Sequence, residues 1–513
     1  MTQTGADALA RILAENGIDT CFANPGTTEM HLLAALGREP RLDLKLCLFE
    51  GVATGAADGY ARMSGKPAAV LLHLGPGFAN GMANLHNAKK AATPVLNIVG
   101  EHATYHLAHD APLTADIEGM AQTVSGAVAT PQTADEVAAA TAEMIAQVQT
   151  GMVGTLVVPN DAAWSETENT SATPAPVEKP SFDTTCLKKA ADALAKPGAL
   201  LLIGAPHISS RMAQLAHAIG AATGCTVRAE AAVARMARGG DTPALVRIPF
   251  HVDFATEALK DIETAVLVGS RPPVAFFAYP GRPSHLLPEA ANTIPLCDPA
   301  ADAETALQAL AEAVGAQPAE PPQHPSIPTP ETQAPIDAET LGQTVAALLP
   351  DQAIVVDESV TNGAHLFALC GHGPAHDWIN NRGGSIGYSM PVAVGAATAC
   401  PDRKVLCITG DGSAYYTLQA LWTMARERLD VTVLILANRK YSILANETSK
   451  IGAGAPSDRT NPLMSLEDPA PDWVKLAEGQ GVSACAAATA GELNAALQKA
   501  LSKPGPSLIE VRM

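Results

Sequence analysis

Two apolar runs, Lys404-Val405-Leu406-Cys407-Ile408-Thr409 and Val431-Thr432-Val433-Leu434-Ile435-Leu436, flank a single helix-length segment, and no other feature constrains the fold so tightly. Strands of this kind belong to a parallel sheet covered on both faces, and parallel neighbours need a crossover of about a dozen residues or more between them. Gly410-Asp411-Gly412-Ser413 follows the first run and Ala437-Asn438 ends the second. Asp411 and Asn438 are therefore expected at the carboxyl ends of adjacent strands, the edge at which open α/β sheets bind ligands. An Asp carboxylate, an Asn amide oxygen and one backbone carbonyl, together with diphosphate oxygens and water, complete an octahedral Mg²⁺ site. The glycines let the backbone close on phosphate, and the following helix offers its N-terminal N–H groups. Gly-Asp-Gly alone is equally an ordinary turn; the Asn one crossover later separates the two readings.

The same alternation runs through the rest of the chain. Residues 1–168 read as strands at Ile18 to Ala23, Leu44 to Phe49, Ala68 to His73, Pro94 to Val99 and Gly154 to Val158, with helical patterns between them and a glycine-rich turn at Leu74-Gly75-Pro76-Gly77. Asn169 to Lys179 has linker composition, placing a linker over 169–182. The alternation restarts over 183–316 with Ala199 to Gly204, a helix around Met212 to Ala222, Cys225 to Ala229 and Ala265 to Gly269. No Gly-x-Gly-x-x-Gly fingerprint occurs there, so a structural central domain is expected. A proline-dense connector, 317–335, leads into a third unit, 336–513. The fold class is thus α/β, with three doubly wound parallel-sheet domains. The two end thirds are expected to share a fold, although no extended sequence repeat links them.

A formal charge of −19 opposes nucleic-acid or anionic-membrane partners, which need basic patches. No apolar run reaches membrane-spanning length, and Thr4 to Ile18 reads as an amphipathic helix rather than a signal segment. The nine cysteines are scattered singly without zinc spacing, as free thiols in a reducing cytoplasm would be. His207, His217 and His251 have no partners in sequence and read as structural or exposed.

Asp411 and Asn438, one crossover apart, resemble the thiamin-diphosphate motif of the decarboxylase and acetolactate synthase superfamily, and the run Gly410 to Trp422 looks particularly like benzoylformate decarboxylase. A second match lies far away in the chain. Glu50, followed by Gly51-Val52-Ala53-Thr54-Gly55-Ala56-Ala57-Asp58-Gly59-Tyr60-Ala61, is similar to the segment bearing that family's activating glutamate. Asn381-Arg382-Gly383-Gly384-Ser385-Ile386-Gly387-Tyr388-Ser389-Met390-Pro391 is similar to the segment that bends the cofactor. The resemblance covers the first and last thirds and, in architecture, the middle, and it implies a pyruvate-oxidase/decarboxylase-like arrangement.

It also implies roles. Glu50 would bond the pyrimidine N1′ and favour the imino tautomer whose 4′-nitrogen removes the C2 proton. Ile386 would be the wedge between the cofactor rings and the Gly384 carbonyl the N4′ partner. Asp411, Asn438 and the Lys440 carbonyl would hold Mg²⁺, while Gly410, Gly412, Ser413 and Thr361 would serve the diphosphate. Thr27, in Asn24-Pro25-Gly26-Thr27-Thr28-Glu29, stands where benzoylformate decarboxylase offers a serine hydroxyl to the substrate carboxylate, and His73 stands at that family's active-site histidine. The family's second histidine, from the middle domain, has no counterpart: Phe276-Phe277-Ala278-Tyr279-Pro280 carries Pro280 in its place, with His285 out of register.

The reaction implied is decarboxylation of a small 2-oxo acid through the C2 carbanion, followed by protonation or ligation of the enamine. An acetolactate-synthase-type carboligase and a non-catalytic thiamin-diphosphate-binding paralogue are the alternatives. Acyl donor and acceptor stay open. FAD is not expected, since no flavin signature is present. A homodimer or homotetramer with active sites between subunits is implied, because Glu50 and Asp411 lie in different domains.

Overall fold

Strands apolar on both faces must be covered on both faces, and the chain achieves this three times. In the computed structural model, which describes residues 3–176, 181–318, 320 and 324–513, the first third forms β1 (Thr20–Asn24), β2 (Asp43–Leu46), β3 (Ala68–Leu72), β4 (Val95–Glu101), β5 (Ala127–Ala129) and β6 (Val153–Pro159). All pair in parallel in the order β2-β1-β3-β4-β6-β5. The middle third supplies β7 (Ala199–Ile203), β8 (His207–Ile208), β9 (Thr226–Ala229), β10 (Arg235–Arg238), β11 (Thr264–Val268) and β12 (Asn292–Cys297). Four of these make the parallel sheet β12-β11-β7-β9. The last third adds β13 (Ala353–Glu358), β14 (His376–Asn380), β15 (Val405–Gly410), β16 (Val431–Ala437), β17 (Ser483–Ala487) and β18 (Ser507–Arg512).

Within the third sheet the order β14-β13-β15-β16-β18-β17 repeats that of the first, strand for strand. The end thirds thus share a topology without an extended sequence repeat. Both sheets reverse direction beside their first strand, and such a reversal leaves a crevice at the carboxyl ends.

Two strands depart from the sequence reading. β10 leaves the middle third and pairs antiparallel with β14, Arg235 opposite Ile379 and Arg238 opposite His376, and β8 follows it. The cause lies in side chains of the neighbouring domains: Arg235 forms an ion pair with Asp377 at 2.8 Å, and the Arg238 guanidinium stacks 3.4 Å from the Phe367 ring centroid. Leu74 to Gly77 is likewise not a free turn but the first turn of the helix Leu74–Ala91. Pro76 is tolerated there because first-turn N–H groups have no partner inside the helix. Residues 177–180, 319 and 321–323 of the two expected linkers lie outside the described residues. The nine cysteines are all free thiols, and among the described residues no helix is long and apolar enough to cross a membrane.

The end thirds meet through glycine. The helix Glu50–Ser64 crosses the helix Ser389–Ala399 so closely that a Cβ on Gly395 would stand 1.8 Å from the Ala56 carbonyl oxygen, and one on Gly59 2.1 Å from that of Val392. At the far end of the first helix, buried Arg62 pairs with Asp58 and donates to the backbone carbonyls of Ala234 and Asn380. One guanidinium thus ties all three thirds together.

Candidate active site

At the crevice of the first sheet, β1 runs into Asn24 to Glu29 and β3 into His73. Glu29 is fully buried, and its Oε2 accepts the Gly26 N–H at 2.9 Å and lies 2.8 Å from Nδ1 of His73. Carboxylate contact at Nδ1 places the proton there and leaves Nε2 as the second functional nitrogen. The backbone fits around the ring: a Cβ on Gly26 would be 2.2 Å from His73 Cγ. Thr27 is exposed on the same turn.

Glu50 begins its helix immediately after Phe49, buried, with Asn80 Nδ2 donating to Oε2 at 3.0 Å. Gly77 separates it from the histidine, since a Cβ there would lie 3.3 Å from Glu50 Oε1 and 3.2 Å from His73 Cβ. The fold therefore brings Glu50, His73 and the Thr27 turn to one edge. β4 ends there as well, and His102, His106 and His109 follow it in a chain of ring contacts at 5.3 and 5.8 Å. Nε2 of His102 is buried without a hydrogen-bond partner, and burial, then the neighbouring His106 and His73, lowers its pKa. The sequence reading passed over this trio and Glu29, whose significance depends on the turn that aims each side chain.

At the crevice of the third sheet, Asp411 follows β15 and opens a short helix, Asp411–Ala414. Its Oδ1 accepts the Gly412 N–H at 2.9 Å, and its Oδ2 accepts the Arg439 N–H at 2.7 Å, drawing the turn after β16 onto it. Asn438 Oδ1 accepts the Lys440 N–H at 3.1 Å, while Arg439 takes the left-handed conformation, φ 56°. Burial raises the Asp411 carboxyl, against the pull of those backbone donors. Ser413 is buried on the short helix, and Thr361 stands half-buried beyond β13, beside the crevice, with its side chain in none of the hydrogen bonds among the described residues.

The loop 381–387 is clamped from several sides. Asn87 exchanges hydrogen bonds with Ser385, 2.9 Å to its carbonyl and 3.1 Å from its N–H, and His86 Nε2 lies 3.1 Å from the Gly383 carbonyl. Asn381 Oδ1 accepts the Gly384 N–H at 2.8 Å, and buried Glu358 accepts that of Gly387 at 2.8 Å. Ile386 is held between these anchors. Gly384 has φ 81°, and a Cβ there would be 2.5 Å from Phe276 Cζ, so its glycine is required by conformation and by contact.

The donor set suits a hard cation: one carboxylate, one amide oxygen and one carbonyl, all oxygen. Among the described residues no three His, Cys, Asp or Glu side chains converge on a metal position, so a cation here would need further oxygens from water or a bound group. The Tyr441 ring packs on Gly412, where a Cβ would be 2.4 Å from its Cε1, so the turn before the short helix tolerates no side chain there. Among the described residues no hydrogen bond or ion pair joins Glu50 to Asp411, Asn438, Gly384 or Ile386.

Two family models match the chain: thiamine pyrophosphate enzyme, N-terminal TPP binding domain, over residues 3–124, and its C-terminal TPP binding domain counterpart over 362–511. The chain is 44% identical to IlvX of Mycobacterium tuberculosis, provisionally named an acetolactate synthase large subunit, over 99% of this chain and 98% of the relative. It is 29% identical to benzoylformate decarboxylase of Pseudomonas aeruginosa, again over 99% and 98%. Among solved structures, the thiamine diphosphate-dependent 4-hydroxybenzoylformate decarboxylase of Rhodococcus jostii RHA1 superposes with a TM-score of 0.84 at 23% identity, covering 100% of this chain and 99% of that one.

Proposed function

The chain belongs to the thiamine pyrophosphate enzymes, and from that premise we propose that it decarboxylates a small 2-oxo acid, with Glu50 and the Asp411–Asn438 crossover gripping opposite ends of the cofactor. The observation that carries this reading is the pairing of a buried carboxylate at the start of one helix with a buried aspartate and a half-buried asparagine at the matching edge of a second sheet, six strands of which repeat the order of the first. When bound, thiamin diphosphate supplies the electron sink that a 2-oxo acid needs to release CO₂.

The chain's own residues do the rest. Glu50, oriented by Asn80, holds a proton at Oε1 or Oε2 for the pyrimidine ring. Ile386, fixed on both sides, would serve as the wedge, and the Gly384 carbonyl would be the partner of the aminopyrimidine. Asp411, Asn438 and the Lys440 carbonyl would hold Mg²⁺, and Gly410, Gly412, Ser413 and Thr361 would serve the diphosphate. His73, with Nδ1 engaged by Glu29, moves a proton at Nε2, and the Thr27 hydroxyl binds the substrate carboxylate. The domains 1–168, 183–316 and 336–513 serve as the pyrimidine-binding, central and diphosphate-binding units.

A homodimer or homotetramer completes the site in this reading. Exposed apolar side chains at both crevice edges support it, among them Leu48 and Tyr105 on one and Tyr415, Tyr416 and Leu463 on the other.

One observation favours a second outcome, ligation to a carbonyl acceptor. The segment facing Gly384 from the middle third presents Phe276, not an imidazole, and Tyr279 beside it donates its hydroxyl to Glu447 at 2.7 Å. His285 is exposed. A site with fewer proton donors leaves more time for a second carbonyl compound to react. Incubation with pyruvate, benzoylformate or branched 2-oxo acids, Mg²⁺ and thiamin diphosphate separates the outcomes by product, free aldehyde or 2-hydroxy ketone. Absence of CO₂ release from every acid would sink both.

A further inference from the structure

The middle sheet, ordered β12-β11-β7-β9, reverses direction beside β7. A doubly wound sheet takes its ligands at that point, outside the carboxyl ends of the strands, and a nucleotide is the usual occupant of such a crevice. Here the ends carry Gly204 after β7, Glu230 after β9 and Ser270 after β11. A side chain from another domain already reaches them. Arg382 donates through Nη1 to the Gly204 carbonyl at 3.0 Å and pairs through Nη2 with Glu230 Oε2, while Ser270 Oγ donates to Glu230 Oε1 at 2.7 Å. The fit leaves no slack, because a Cβ on Gly204 would lie 2.3 Å from Glu230 Cδ. Both charged side chains are more than four-fifths covered.

Arg382 precedes Gly383, Gly384 and Ile386 in the loop assigned above to the cofactor's pyrimidine. We propose that Arg382 is a positioning residue: seated in the crevice where a nucleotide would bind, it fastens the cofactor-bending loop to the middle domain. The middle domain then acts as an anchor for that loop. Its contribution is doubled by Phe276, whose ring packs on Gly384 from the same side. Burial raises the Glu230 carboxyl, and the charge of Arg382 opposes this. Removing either leaves the other uncompensated, and the loop loses its only ion-paired tether among the described residues.

This inference rests on the thiamin-diphosphate reading, and the test separates the two. Purified full-length wild type and the variants Arg382→Lys, Arg382→Met and Glu230→Gln are titrated with thiamin diphosphate and Mg²⁺ by calorimetry. The rate of C2 hydrogen–deuterium exchange in bound cofactor is followed by NMR, with thermal unfolding as a control for the fold. Expected is a fall in exchange rate of about tenfold or more in Arg382→Met and Glu230→Gln, with the dissociation constant for the cofactor moving by less than that and Arg382→Lys recovering part of the rate. Wild-type exchange rates in folded Arg382→Met and Glu230→Gln, with cofactor bound, overturn the positioning role. ADP or FAD binding to the wild type at micromolar concentration overturns the blocked crevice. No cofactor binding by the wild type overturns the underlying reading instead. If both variants unfold, the decision passes to Ser270→Ala, which loosens Glu230 without stranding a charge: an unchanged exchange rate overturns the proposal, and a slower one supports it.

Discussion

Glu29, fully buried, lies 2.8 Å from Nδ1 of His73 through the same carboxylate oxygen that accepts the Gly26 N–H. The pair fixes the imidazole tautomer and the turn that carries Thr27 in one arrangement. Glu29→Gln keeps an oxygen for Nδ1–H but removes the negative charge behind it and buries an unpartnered amide N–H, so the hold on ring orientation and tautomer is weakened. A fall in kcat of roughly ten- to hundredfold is expected, with cofactor affinity near that of the wild type, since Glu29 stands away from the cation side. Steady-state kinetics beside cofactor titration check this.

Glu50→Gln keeps the shape and the contact with Asn80 but cannot exchange a proton with the pyrimidine. A loss of about a hundredfold or more in turnover is expected, read as CO₂ release from the best 2-oxo acid. Full activity in this variant would overturn the assignment of Glu50.

The cation prediction concerns Asp411 and Asn438. Prolonged EDTA treatment should remove activity, and Mg²⁺ together with thiamin diphosphate should restore it. In Asp411→Asn and Asn438→Ala the Mg²⁺ concentration for half-maximal recovery should rise by about tenfold or more, because the first removes the carboxylate charge of the donor set and the second its amide oxygen.

At the crossing of the two glycine-bearing helices, Gly395→Ala places a methyl 1.8 Å from the Ala56 carbonyl oxygen, with Tyr60 N at 2.5 Å. These are backbone atoms that no rotamer change can move, so the helices must separate. A destabilisation of about 3 kcal/mol or more is expected in urea unfolding. Gly65→Ala is no control because its φ is 71°; Gly37→Ala, with open space around it, serves.

His376 lies buried between β10 and β13, with Nδ1 2.8 Å from the Pro374 carbonyl and Nε2 unpartnered, and burial lowers its pKa from 6.5 to about 4. The folded protein binds the proton more weakly than the unfolded chain, so stability is present above pH 6.5 and is lost as pH falls toward 4. The loss amounts to about 3 kcal/mol at most. Unfolding free energies across that range should slope accordingly, and the slope should shrink in His376→Gln.

The three-sheet α/β class was legible because parallel strands betray themselves as continuous apolar runs, and so were most strand positions to within a residue or two. Glu50 and Asp411 stand out in the sequence for a similar reason: each is a lone acid directly after an apolar run, Leu44 to Phe49 and Lys404 to Thr409, although β2 itself ends at Leu46. Glu29 was not, because the turn Asn24 to Glu29 reads as polar loop until β3 brings His73 beside it. β10 was not foreseen, because Arg235-Met236-Ala237-Arg238 is too short and too charged to read as a buried strand, and it is Asp377 and Phe367 that seat it beside β14. Arg382 read as one more loop residue, since its partners lie 152 and 178 positions away.

What the sequence determined by itself, then, is local and periodic: which segments must be strands buried on both faces, which carboxylates stand at their ends, and which family's spacing they share. Tertiary structure alone decided the rest. Pairing of β1 with β3 placed His73 on Glu29, and docking of whole domains placed Arg382 in the middle-domain crevice and Phe276 on Gly384, through contacts of a few ångströms between residues far apart in the chain. Such contacts leave no period in the sequence, because they depend on how rigid sheets stack and on where glycine lets two backbones meet.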